Sequence, residues 1–233
     1  MKVGVLGANG FLGSEMVRVL GEDHTVVSLT RDNYLQYKGT SFDVFINMAG
    51  NNKNYWANKF PQEDFKGSAL LVYDNLFDFK IDKYVFMSSI ATYDINSHYG
   101  FNKTLAEEII RRHSNNYLIF RCSATIDRCM KIGILNDILK GIPLFISGDS
   151  QIQFITRNAV ANIIKDLMST DVYNRTFNMG GVGAVTISSI ESIVGHSIIY
   201  DSAAKKRHYE MDVCELNELF KLKTSYEYVE DIV

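Results

Sequence analysis

Residues 2–13 read KVGVLGANGFLG, and this stretch decides the fold. Lys2–Leu6 is a short, nearly continuous apolar run of the kind that forms a strand buried on both faces. It passes without a spacer into Gly7-Ala8-Asn9-Gly10-Phe11-Leu12-Gly13, glycines at positions 7, 10 and 13, and an amphipathic helical pattern over Phe11–Leu20 begins at once. Gly7 permits the tight turn, Gly10 lets a diphosphate approach the backbone without meeting a Cβ, and Gly13 allows close helix–strand packing. N–H groups at the start of a helix, with its positive dipole end, favour an anion. Strand, loop and helix in this order predict a dinucleotide-binding turn, with Gly7, Asn9, Gly10, Phe11 and Leu12 as candidate cofactor-binding residues; a merely tight βα turn is the plainer reading.

Outward from that turn, apolar runs alternate with helical patterns. Thr25–Leu29, Asp43–Met48, Tyr84–Ser88 and Tyr117–Arg121 read as buried strands. Helical stretches are expected near 62–79 and over 99–113, where Leu105, Ala106, Ile109 and Ile110 share a side. Such alternation predicts a Rossmann-type α/β fold, a doubly wound parallel sheet with helices on both faces. From about residue 125 the elements shorten: a helix near 130–140, a strand near 143–146, a helix over 157–168, a strand near 176–179, turns at 180–183, and helices near 188–194 and 212–220. We expect a dinucleotide-binding domain over 1–124, to which later strands return, and a small C-terminal α/β substrate lobe over 125–233, lying against the carboxyl edge of the sheet and not folding separately.

The 233 residues are 46% hydrophobic and 22% charged, enough apolar material to build one large core and too much for a disordered chain. A net charge of −3 argues against general attraction to nucleic acid or anionic membrane. Three cysteines, Cys122, Cys129 and Cys214, are odd in number and unpatterned, and the five histidines share no metal spacing, so neither a disulfide framework nor a metal site is expected. No run of about 18 apolar residues occurs, and the amino terminus lacks a signal-peptide pattern. The expectation is a soluble cytoplasmic protein.

At the end of the second strand, where dinucleotide folds usually place an acid for the adenosine ribose, the sequence reads Leu29-Thr30-Arg31-Asp32. A guanidinium at Arg31 suits a 2′-phosphate and favours NADP(H) over NAD(H); the alternative is a solvated arginine with Asp32 on the ribose. Tyr99 and Lys103, four apart, project from one helical face, and Ser88-Ser89 closes a strand at the sheet edge where open α/β folds bind ligands. An ammonium and an oxidised nicotinamide beside a phenol lower its ordinary pKa of about 10. Tyr99 is thus the candidate acid/base, Ser89 the group holding a carbonyl oxygen, and Lys103 both the modifier of the phenol and a ligand for the nicotinamide ribose. A surface tyrosine beside a solvated lysine is the bland alternative, disfavoured here by the glycine loop and strand-end serines.

These segments resemble the extended branch of the short-chain dehydrogenase/reductase superfamily, the NAD-dependent epimerase/dehydratase family acting on nucleotide sugars. GANGFLG at 7–13, DVFINMAG at 43–50, YVFMSSIATY at 84–93 and YGFNKTLAEEII at 99–110 carry the specific similarity; FITRNAVANII at 154–164, FNMGG at 177–181 and residues 212–233 are looser matches. The resemblance implies a dinucleotide over residues 7–13, Arg31, Met48, Ala49, Gly50 and Lys103, chemistry at Ser89, Tyr99 and Lys103, and a homodimer through the helices near 62–79 and 99–113. Arg157, Asn178 and the basic run 205–208 fall where ligand contacts or plain structural roles are both open, as does His98 beside Tyr99. Residues 51–56 are expected to form a loop above the nicotinamide, with Trp56 in it or packed.

The chain also departs from the family. Only about a dozen residues separate Arg31 from Asp43, so a second helix and third strand are cut down. Asp64, three before Gly67, stands where an asparagine is common in the family. Ile90 and Ala91 stand where dehydratases carry an Asp-Glu pair, so loss of water from a hexose is poorly supported. Reduction of a keto-sugar or epimerisation through a transient ketone is the expected activity. The alternatives are a reductase of a small non-sugar carbonyl and a catalytically silent NADP-binding sensor or scaffold.

Overall fold

The computed structural model describes residues 1–51 and 54–233. The chain clusters into two compact units, one of Met1–Arg121 with Ala161–Phe177, the other of Cys122–Val160 with Asn178–Val233. The helix Arg157–Met168 and the strand Arg175–Met179 lie for the most part in the first unit.

The first unit is built on a six-stranded parallel sheet flanked by helices. In chain order the elements are β1 (Lys2–Leu6), α1 (Phe11–Leu20), β2 (Thr25–Leu29), β3 (Ser41–Asn47), α2 (Asn54–Lys59), α3 (Pro61–Phe65), α4 (Leu71–Asp78), β4 (Lys80–Ser89), α5 (His98–His113) and β5 (Tyr117–Cys122). Across the sheet the order is β2-β1-β3-β4-β5 and then the strand Arg175–Met179. From β1 the chain goes to β2 on one side, then crosses to β3 on the other. The carboxyl ends of β1 and β3 thus flank a topological switch point, where parallel α/β sheets bind ligands.

Thr25–Leu29 was expected to be buried; only Leu29 is, because β2 is the sheet edge. Among the described residues no strand lies outside it, and the crossover to β3 contains one 3₁₀ turn, Tyr34–Tyr37. Side chains do the covering that a helix would have done. Phe42, Phe45, Phe79 and Tyr84 form a chain of ring contacts 5.0–5.7 Å apart, and Tyr34 meets Phe79 edge-on at 5.3 Å. The Tyr34 hydroxyl lies 2.9 Å from both Asn75 Oδ1 and Asp78 Oδ2 and shares its one proton between them, pinning the short crossover.

The expected helix over 62–79 is real but interrupted. Pro61 opens it at the first helical position, where its missing N–H costs nothing. Lys66–Leu70 then forms a π-helical turn before α4. Residues 51–56 do not stay a loop: Asn54–Lys59 is helical, and half-buried Trp56 packs 5.4 Å from Phe60, while Asn52 and Lys53 lie outside the described residues.

The second unit has short pieces: strands of two to six residues, a helix at Ile134–Leu139, and terminal helices Cys214–Phe220 and Ser225–Glu230, the last with a Thr224–Glu227 capping box. Gln153, fully buried, bonds Gly181, and both the N–H and the carbonyl of Met211. No described helix is long and apolar enough to cross a membrane.

Candidate active site

Gly7, at φ +83°, turns the chain out of β1, and its N–H donates to Leu29 at 3.1 Å. Gly13 has no alternative, since a Cβ there would sit 2.1 Å from the Gly7 carbonyl oxygen. Gly10 is exposed and caps α1 without any side-chain hydrogen bond. A second loop, Met48–Gly50, abuts this one: a Cβ at Gly7 would lie 2.9 Å from Ala49 N. Ala49 N–H is itself held by Asn47 Oδ1 at 3.0 Å, so the end of β3 presents a fixed floor.

The buried stripe of α5 is unusually polar. Asn102, Lys103 and Glu107 alternate with Gly100, Ala106 and Ile110 on that face. Helix entry is set by Ser97, whose hydroxyl accepts from Gly100 N–H. Gly100 allows the helix to touch the 90–94 turn, because a Cβ would come within 2.2 Å of the Ala91 and Asp94 carbonyls. Tyr99 and Lys103 are neighbours on this helix, with Lys103 Nζ 6.0 Å from the phenol centroid. Tyr99 is half-buried; Lys103 is 4% exposed.

Lys103 reaches under the second loop. Its ammonium donates to Met87 O at 3.0 Å, lies 4.8 Å from the Phe86 ring, and stands 3.8 Å from where a Gly50 Cβ would be. Burial pushes its pKa down to about 8, against the pull of the Asp64 and Glu107 carboxylates, which holds it from falling further. Ser89, at the end of β4, caps the 3₁₀ turn Ile90–Tyr93 by accepting from Ala91 N–H at 3.2 Å. One of its lone pairs is so engaged, and its O–H has no acceptor among the described residues.

Loops 7–13 and 48–50 and Lys103 therefore come together, and Tyr99 stands beside Lys103. Arg31 is exposed at the end of β2, without an ion pair among the described residues. Its neighbour Thr30 has its N–H taken by Asn33 Oδ1 at 2.8 Å. In the second unit, Arg157 pairs with Asp127 at 2.8 Å, Asn178 donates to Asp212 O, and Lys206 pairs with Asp149, so each has an internal structural partner. His98 is exposed at the first turn of α5.

Three buried residues are given no role by the sequence reading, which names Asp64 only as a departure from the resemblance. Glu107, fully buried, accepts from Ser88 Oγ at 2.6 Å, Arg121 Nη2 at 2.7 Å and Arg111 Nη2 at 2.8 Å. Asp64, also fully buried, accepts from Asn51 Nδ2 at 2.9 Å and Asn102 Nδ2 at 2.8 Å. Ser68 is 3% exposed, and its Oγ has no hydrogen-bond partner among the described residues; it lies 3.9 Å from where a Gly50 Cβ would be. Glu107 was findable, being four residues after Lys103 on one stripe. Asp64 lies just before, and Ser68 within, a π-helical turn that carries no sequence mark.

A nicotinamide dinucleotide fits these residues. An uncapped helix start faces the exposed Gly10, Gly50 at φ +125° leaves the space a side chain would fill, and a buried hydroxyl waits there for a partner.

No family model and no curated protein matches the sequence. Solved structures do. UDP-glucuronic acid 4-epimerase from Bacillus cereus, in complex with UDP-glucuronic acid and NAD, superposes with a TM-score of 0.77 at 17% identity over 100% of both chains. UDP-glucose 4-epimerase from Thermotoga maritima gives 0.78 at 17% identity, over 100% of this chain and 97% of its own. dTDP-4-dehydrorhamnose reductase from Bacillus anthracis, in complex with NADP, gives 0.81 at 15% identity, over 99% and 96%. The fold is the Rossmann-type one that these epimerases and this reductase share.

Proposed function

We propose that this protein is an NAD(P)-dependent oxidoreductase of the extended short-chain type that reduces or epimerises a nucleotide-linked sugar. The observation carrying this reading is the convergence at Gly50, where the loop that abuts the Gly7 turn meets a buried lysine ammonium on the helix of Tyr99. The similarity in fold to epimerases bound to UDP-sugars and NAD, and to a reductase bound to NADP, supports the substrate and cofactor class.

The bound dinucleotide would supply or accept hydride at its nicotinamide carbon. Ser89 O–H holds the substrate oxygen, and Tyr99 Oη gives that oxygen a proton on reduction or takes it on oxidation. Lys103 favours the phenolate by its charge and hydrogen-bonds the nicotinamide ribose, while Met48, Ala49 and Gly50 form the floor. Phosphates bind at Gly7, Asn9, Gly10, Phe11 and Leu12. The truncated crossover between β2 and β3 favours one second reading, a dinucleotide-binding sensor without turnover.

Arg31 supports a preference for NADP(H). Titration calorimetry should show tighter binding of NADPH than of NADH, and Arg31→Ala should weaken NADPH by about tenfold or more, the worth of a charge-assisted hydrogen bond, with little effect on NADH. Equal losses for both would assign Arg31 no role at a 2′-phosphate, and absence of binding by either would remove the oxidoreductase reading.

A second copy of the chain is the proposed partner for the outer face of the helices spanning 61–78 and 98–113. Phe65, Leu70, Tyr73, Phe77 and Phe101 are exposed there, Phe77 at 61%. Such an apolar patch marks an interaction surface. Sedimentation should give twice the 26.4 kDa chain mass; Tyr73→Lys with Phe77→Lys should return the monomer, and a monomeric wild type would refute the arrangement.

A further inference from the structure

Beneath the lysine of the site lies an uncommon balance of buried charge. Glu107 is neutralised within its own contacts by Arg111 and Arg121. Asp64 is not: both its oxygens are held by neutral amides, Asn51 and Asn102, and neither is in ion-pair contact with a lysine, arginine or histidine among the described residues. Yet Asp64 is fully buried, and an unpaired charge in such a place is costly unless something opposite lies near.

The opposite charge is Lys103. Its ammonium has one hydrogen bond among the described residues, to Met87 O, and the Asp64 carboxylate stabilises its charged form through space. The amide of Asn102, next to Lys103 in sequence, joins Asp64 to the catalytic helix, and that of Asn51, next to Gly50, joins it to the loop. A fixed negative charge thus sits behind the two elements that would receive the nicotinamide.

We infer that Asp64 is the charge partner of Lys103 and that it biases the site toward the oxidised, positively charged nicotinamide over the reduced, neutral one. This rests on the reading of the site as a nicotinamide site. The two cofactor states differ there by one unit of charge, so a buried carboxylate distinguishes them, whereas a neutral amide of the same shape does not. The same charge keeps Lys103 protonated at neutral pH, when the groups facing it are Asp64, Glu107 and the Tyr99 phenol, with Arg111 and Arg121 already committed to Glu107.

Asp64→Asn is the test, since Asn51 and Asn102 can each reverse their amides to suit the new neighbour. Dissociation constants of NADP⁺ and NADPH are measured at pH 7 for the full chain and the variant. The ratio of the reduced to the oxidised constant should fall by about tenfold in the variant, a size set by screened Coulomb energies over several ångströms. The pH at which Lys103 becomes reactive to acylation, followed by mass spectrometry without cofactor, should move down by about one unit. A merely structural Asp64 would weaken both cofactor forms alike and leave the acylation midpoint in place, and either result overturns the inference. Should the asparagine form not fold, Asp64→Ser carries the same two measurements. Wild-type protein that binds neither form overturns the parent reading and this inference with it; binding with an unchanged ratio overturns this inference alone.

Discussion

Tyr99→Phe is expected to lower kcat by about 10²–10⁴-fold, the usual contribution of a positioned acid or base, while dinucleotide affinity stays nearly unchanged. The loss is confined to chemistry because Tyr99 is half-buried on the first turn of α5, and the ring, which remains, makes the contact with the Lys103 ammonium. What disappears is one O–H, the only part of the side chain that moves a proton. Lys103 sets the pH window. It is charged below about 8 and loses its charge above, so activity relying on its effect on the phenol should decline as pH rises through that value. Stopped assays with a panel of UDP- and dTDP-linked sugars, and calorimetry with the cofactor, check both halves. Full turnover in the phenylalanine form would end the assigned role. Cofactor binding by a wild type without turnover on any sugar or small carbonyl would favour the sensor reading.

Glu107→Ala should cost about 3–5 kcal/mol of stability, the range for breaking a buried ion pair on one side, or roughly 10 °C in melting temperature for a chain of this size. The substitution strands two guanidiniums and a hydroxyl at once, since Arg121, Arg111 and Ser88 all point at the missing oxygens. Burial alone would raise the Glu107 pKa, but hydrogen bonds from Arg121 and Ser88, the charge of Arg121 and the Arg111 contact outweigh it and hold the carboxyl below its ordinary range. A carboxyl depressed on folding contributes stability above its unfolded pKa of about 4.3, and that contribution is lost as pH falls through the folded value. The gap between wild type and variant should therefore be full at neutral pH and close in acid. Chemical unfolding at pH 7 and near pH 3 checks this; a gap independent of pH would mean that packing, not charge, was lost.

Much of the first unit was legible because its signals are local. The bounds of β1, α1 and β2 match the sequence expectation, since glycine spacing and apolar runs fix them within a few residues. β3 was displaced by a residue or two, running from Ser41 and stopping at Asn47 short of the expected Met48, because Asn47 turns its side chain back to cap the next loop. The polar helix Asn54–Lys59 was missed because six residues with a single buried alanine carry no periodicity. Two-residue strands such as Gln151–Ile152, Val185–Thr186 and His208–Tyr209 are defined by pairing with partners distant in sequence, which no window along the chain can register. Ser89, Tyr99 and Lys103 are candidates on a motif, of which the structure sets Tyr99 beside Lys103. Asp64 is marked in the sequence only as a departure from the resemblance; its burial is not legible there, because it depends on the amides of Asn51 and Asn102, which are distant in sequence.

The aromatic patch over the short crossover is also wired to the second loop. Tyr34 bonds Asn75, whose amide bonds the Tyr84 hydroxyl; Asn47 bonds the same hydroxyl from the other side and holds Ala49 N–H. A graft placing a helix between Arg31 and Asp43 would have to evict Tyr34, and the vacancy would propagate through three buried polar groups to the backbone of the second loop at Ala49. Lengthening this segment is thus no neutral insertion into a surface loop. Its brevity and the shape of the loop 15 residues downstream are one coupled trait, to be exchanged together or not at all.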